Sequence, residues 1–88
     1  MKNSQSTINF KEKLEEQYSW PALYMFKFIV PKGQEEKVKL LFPSNEVTMK
    51  ASKQGNYISV TAKVMAGSSD EIIRIYEEAY LIEGIISL

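Results

Sequence analysis

Lys27 is the one charged residue in the run Tyr24-Met25-Phe26-Lys27-Phe28-Ile29-Val30. Read as a strand, alternation puts Met25, Lys27 and Ile29 on one face and Tyr24, Phe26, Phe28 and Val30 on the other. In the later run from Tyr57 to Met65, Ser59, Thr61 and Lys63 alternate with Ile58, Val60, Ala62 and Val64. Two ammonium groups and a hydroxyl on one sheet face have the chemistry to hold an anionic ligand or the acidic surface of a partner. For Lys27 alone, a solvated lysine is the plainer explanation. The stronger argument is that Met25 and Ile29 flank it, with Tyr57 and Met65 on the same side. Large apolar residues left together on a surface mark a contact. The competing arrangement has an N-terminal helix folded over them.

Other chemistry is thinly represented. The chain has no histidine and no cysteine, which removes imidazole acid-base catalysis, thiolate nucleophiles, disulfides and the usual zinc sites. Carboxylates occur as sequence neighbours, Glu15-Glu16, Glu35-Glu36, Asp70-Glu71 and Glu77-Glu78. Adjacent residues on a helix point about 100° apart, so these pairs read as solvated faces rather than converging acid-base dyads. Gly55-Asn56 suits the positive φ of a hairpin turn, and no Gly-Lys-Ser/Thr phosphate loop is present. Trp20, beside Pro21, reads as an edge of the core. Neither catalytic residues nor a metal or cofactor site is expected.

The elements that must position Lys27 follow from the punctuation of the chain. Met1 to Thr7 is polar with nothing to bury and reads as a fraying tail. Asn9 with Glu12 three residues on marks a short helix to about Gln17, with Phe10 and Leu14 on one face. Pro21 then disfavours helix at the residue before it. We divide the chain into a tail and short helix over 1–18 and one domain over 19–88. The first strand is 24–30, ending at Pro31-Lys32-Gly33, and a two-turn helix over 35–42 is stopped by Pro43-Ser44-Asn45. Strands 47–53 and 57–65 flank Gln54-Gly55-Asn56 as a hairpin. Ser68 and Glu71 form a capping box that opens a helix whose apolar face holds Ile72, Ile75, Tyr76 and Ala79. After Gly84, residues 85–88 supply a last short strand. The order β-α-β-β-α-β predicts an α+β, ferredoxin-like split βαβ fold: a four-stranded antiparallel sheet, two helices on one face, the other face open.

Three segments carry a resemblance. Trp20-Pro21 precedes a strand containing Phe26-Lys27, Gly55-Asn56-Tyr57 leads into Ser59-Val60, and Ile75-Tyr76-Glu77-Glu78 sits in the last helix. Over roughly residues 19–88 these resemble the bacterial YbeD-like family, domain of unknown function 493. The family turn runs Ser-Lys-Gly-Asn-Tyr-x-Ser-Val, whereas here Gln54 intervenes between Lys53 and Gly55, and the first crossover is shorter. The resemblance implies a ferredoxin-like fold similar to the ligand-sensing regulatory domains of amino-acid metabolic enzymes. It supplies no catalytic residues.

Eleven basic and eleven acidic residues cancel, so no net field gathers phosphate backbones or anionic lipid. Neither nucleic acid nor membrane is expected as a partner. The polar N-terminus, without a long apolar run, points to a soluble cytoplasmic protein. The favoured expectation is a non-enzymatic regulatory or adaptor module. It binds a protein partner or a second copy of itself through Met25, Lys27, Ile29, Tyr57, Thr61 and Lys63. A dimeric sensor of an amino acid or related metabolite is the alternative. RNA binding on the open sheet comes third, because Tyr57 is the one evident exposed aromatic there.

Overall fold

The computed structural model describes residues 4–88. The elements run α1 (Ser4–Gln17), β1 (Ala22–Pro31), α2 (Glu35–Lys39), β2 (Val47–Ala51), β3 (Tyr57–Ala66), α3 (Ser69–Ala79) and β4 (Ile86–Ser87). The strands form one sheet in the order β2-β3-β1-β4, and every neighbouring pair is antiparallel. The architecture is α+β, an open antiparallel sheet with three helices.

Alternation along the central strands sorts the core. Phe26, Phe28 and Val30 of β1 and Val60, Ala62, Val64 and Ala66 of β3 are buried. They form one cluster with Leu14 of α1, Val38 of α2 and Ile72, Ile73, Tyr76 and Ala79 of α3. Tyr76 is the hub of this layer. Its ring meets Phe10, Tyr24, Phe26, Phe28 and Tyr80 with centroids 5.1–6.3 Å apart, and its hydroxyl lies 2.9 Å from that of Tyr24. Burial, with the Tyr76 hydroxyl second, pushes the Tyr24 phenol well above its ordinary value.

Several boundaries differ from the sequence reading. Met1–Asn3 of the expected tail lie outside the described residues, but Ser4–Thr7 are helical rather than frayed, and α1 begins five residues before Asn9. Asn9 is therefore no cap; its side chain accepts from Gln5 Nε2 at 3.3 Å. α2 is one short turn, Glu35–Lys39, because Leu41 and Phe42 continue as tight turns bonded to Val38 and Lys39. β2 stops at Ala51, so the hairpin loop is Ser52–Asn56, with Gly55 at φ +75°. β4 is only two residues long.

The capping box also differs in detail. Ser68 Oγ accepts from Glu71 N–H at 3.2 Å, but Glu71 Oε2 reaches one residue further back, to Gly67 N–H at 2.9 Å. Ser69, the first residue of α3, is buried and donates its hydroxyl to Glu15 Oε1 at 2.5 Å. The indole of Trp20 donates to the other oxygen, Oε2, at 3.2 Å. These two bonds, Ser69 first, hold the Glu15 carboxyl below the usual carboxylate range. Beside them Lys11 pairs with Asp70 at 2.8 Å. α1 is thereby docked on α3, in the helical layer.

Gly84 returns the chain toward β1. At φ +77° it adopts a backbone that other residues rarely take, and a Cβ there would lie 2.7 Å from Pro31 Cγ.

Candidate functional site

β1 and β3 occupy the centre of the sheet, so the side chains that alternate with their buried ones project from its helix-free face. Across these strands Leu23 pairs with Met65, Met25 with Lys63, Lys27 with Thr61, Ile29 with Ser59 and Pro31 with Tyr57. Residues directly opposite share a face, with Cβ atoms about 5 Å apart. On one flank Ile86 of β4 stands opposite Ile29, and Leu88 donates its N–H to the Lys27 carbonyl at 2.9 Å. On the other flank Thr48 pairs with Thr61 and Lys50 with Ser59.

All six residues singled out from the sequence lie on this open face. Lys27 and Thr61 are direct cross-strand neighbours, as are Met25 and Lys63. Ile29 follows Lys27 along β1, while Tyr57 is set apart at the hairpin end opposite Pro31.

Four further apolar residues join them. Leu23, Met65, Ile86 and Leu88 are 53–64% exposed, beside Met25 at 55% and Tyr57 at 49%, so Leu23, Met25 and Met65 gather at one end of the face and Ile86 and Leu88 along its β4 edge. Leu23 escapes a strand that is taken to begin at Tyr24. In Ile85-Ile86-Ser87-Leu88 alternation does not tell which isoleucine points inward until pairing with β1 is known.

The face is divided lengthwise. Leu23, Met25, Ile29, Ile86 and Leu88 make an apolar column along β1 and β4. Ser59, Thr61, Lys63, Thr48 and Lys50 make a polar band along β3 and β2, and Lys27 interrupts the column between Met25 and Ile29, opposite Thr61. Lys11–Asp70 is the one ion pair among the described residues, so among them Lys27, Lys50 and Lys63 have no carboxylate partner. Glu46, just before β2, lines a shallow hollow with Thr48, Thr61 and Lys63. α1 does not cover this surface, because its contacts are to α3.

Three concavities bear on ligand binding. One of about 320 Å³ lies at the hairpin end of the open face, lined by Ile29, Lys50, Ala51, Ser52, Lys53, Tyr57 and Ser59. A larger hollow, about 700 Å³, follows α3 and is walled by Glu77 and the continuous stretch 80–85. It is formed by a single turn of chain, without convergence of polar groups from separate elements. The third, about 440 Å³, separates the end of α2 from α3 and is lined by residues including Leu40, Arg74 and Glu78.

The carboxylates that hydrogen-bond hold turns, caps and the α1–α3 seam. Glu35 accepts from Gly33 N–H at 2.6 Å, and Glu15 and Glu71 serve the start of α3. Among the described residues no three His, Cys, Asp or Glu side chains gather as metal ligands. No helix among them is long and apolar enough to cross a membrane.

Comparison with known families gives one result. The model of the family described as protein of unknown function DUF493 matches residues 15–86, most of the chain and nearly every element above. The chain belongs to that family. Among curated proteins nothing matches, and among solved structures nothing matches either.

Proposed function

We propose that this member of the DUF493 family is a non-enzymatic regulatory or adaptor module of the bacterial cytoplasm that binds a protein partner through its open sheet face. The observation that carries this is the set of exposed apolar residues Leu23, Met25, Met65, Ile86 and Leu88, with half-buried Ile29, beside unpaired Lys27 and Lys63. Exposed apolar surface of this extent is costly to leave in water and is a signature of contact sites. On this reading the fold is ferredoxin-like. The order β2-β3-β1-β4, with α2 between β1 and β2 and α3 between β3 and β4, is what two interleaved βαβ units produce.

The test is a comparison of partners recovered by the wild type, by Lys27→Glu and by Glu78→Lys on the helical side. Loss with Lys27→Glu alone is expected; equal recovery by all three removes the face from consideration.

A second reading has its own observation. The 320 Å³ hollow near Lys50, Lys53 and Tyr57 is at the lower end of small-ligand sites, which run from about 300 to 1,000 Å³. It suits an amino acid or related carboxylate. A thermal-shift screen with such metabolites tests it, and a flat screen at saturating ligand rejects it.

A further inference from the structure

The zero net charge of the chain conceals a division between its two faces. The three helices carry nine Asp or Glu against five Lys or Arg. The open face of the strands carries Lys27, Lys50 and Lys63 and no Asp or Glu side chain, with Glu46 at its margin. The molecule is therefore cationic on its sheet side and anionic on its helical side.

This rests on the open-face reading above and narrows its partner. From the charge division and the shape of the face, we infer that the occupant is an acidic amphipathic helix of another protein. Two copies packed face to face would bring Lys27, Lys50 and Lys63 of each together, a like-charge contact that disfavours a symmetric dimer there. Sheet face against the acidic helical layer of another copy would be head-to-tail and would not close into a dimer.

The dimensions favour a segment over a second domain. Four strands about 4.8 Å apart and a ten-residue β1 rising about 3.3 Å per residue outline roughly 15 Å by 30 Å, on the order of 450 Å². A stable domain interface takes about 800 Å² per partner. A helix with its side chains is about 10–12 Å wide and fits this outline. It also satisfies its own backbone hydrogen bonds, whereas an extended segment lying on side chains would not. Its apolar stripe would rest on the β1 and β4 column, and its carboxylates would reach Lys27 and Lys63. RNA fits less well, because the column is aliphatic and bases stack on aromatic rings, of which this face has Tyr57 alone.

The test uses synthetic amphipathic helices with identical leucine positions and either glutamate or lysine flanking them, plus an oligouridine. Binding is read by fluorescence anisotropy and by the NMR signals of the Met25 and Met65 methyl groups. The acidic helix should bind at least about tenfold tighter than the basic one, weaken with salt and shift both methyls, leaving half-buried Met49 unmoved. Lys27→Glu should weaken it about fivefold to thirtyfold, and Lys63→Glu similarly, with melting temperatures showing that each variant is folded.

Equal binding of both peptides on this face would overturn the inference while leaving a protein-binding face in place. Preference for oligouridine would overturn both. Absence of any peptide binding at millimolar concentration overturns the inference, and the comparison of recovered partners then decides the broader reading separately.

Discussion

Leu14→Ala tests whether α1 belongs to the helical layer, on which the openness of the opposite face depends. Leu14 is 3% exposed and lies in the core cluster. Removing three buried carbons at about 0.8 kcal/mol each forfeits about 2.4 kcal/mol, and an uncollapsed cavity raises such losses toward 5 kcal/mol. α1 is held mainly through α3, so it can settle into part of the space. We expect about 2.5–3 kcal/mol. At about 4–8 °C per kcal/mol for a domain of this size, the melting temperature should fall by roughly 10–24 °C. Thermal unfolding followed by circular dichroism measures it, with Ile8→Ala as control. Ile8 is on the same helix but 50% exposed, and its loss should cost no more than about 0.5 kcal/mol. A fall under about 4 °C for Leu14→Ala, or equal falls for both variants, would refute the docking of α1 on the core.

Four other perturbations follow from local geometry. The Glu15 carboxyl is held below its ordinary value by Ser69 and Trp20, so its stabilising effect is present above about pH 4.5 and lost as pH falls through the lowered value. The difference in melting temperature between wild type and Glu15→Gln should be largest near neutrality and shrink in acid; a constant difference would contradict this. Gly84→Ala should destabilise by at least about 1–2 kcal/mol, since alanine is strained at φ +77° and its methyl meets Pro31. Gly55→Asn, at φ +75° with open space around it, should be tolerated in the same denaturation assay. Ser68→Ala removes the N-cap of α3 and should cost about 1 kcal/mol, read as a lower urea midpoint with unchanged slope.

What was legible in the sequence was what short-range chemistry dictates. Aromatic alternation from Tyr24 to Val30 is enough to place Met25, Lys27 and Ile29 on one side, and Ser68 with Glu71 marks the start of α3 within a residue. α1 was underestimated because Ser4–Thr7 carries no apolar periodicity. The helix there is sustained by Phe10 and Leu14 docking below it, a tertiary effect. α2 was overestimated because Leu41 and Phe42 keep helical spacing while lying in turns. Of the candidate face, Leu23, Ile86, Leu88 and Lys50 could not be assigned before strand lengths and the β1–β4 register were known. The charge division was hidden by the total of zero, because it depends on which layer each lysine joins.

The most direct test of the central claim is site-specific photo-crosslinking in living cells, with a benzophenone side chain placed in turn at Met25, at Ile86 and, on the helical side, at Leu81. All three positions are more than half exposed, so accessibility does not separate them. If the open sheet face is the contact surface, Met25 and Ile86 capture the same discrete partner and Leu81 does not. Capture from Leu81 alone, with none from the sheet, would contradict the account.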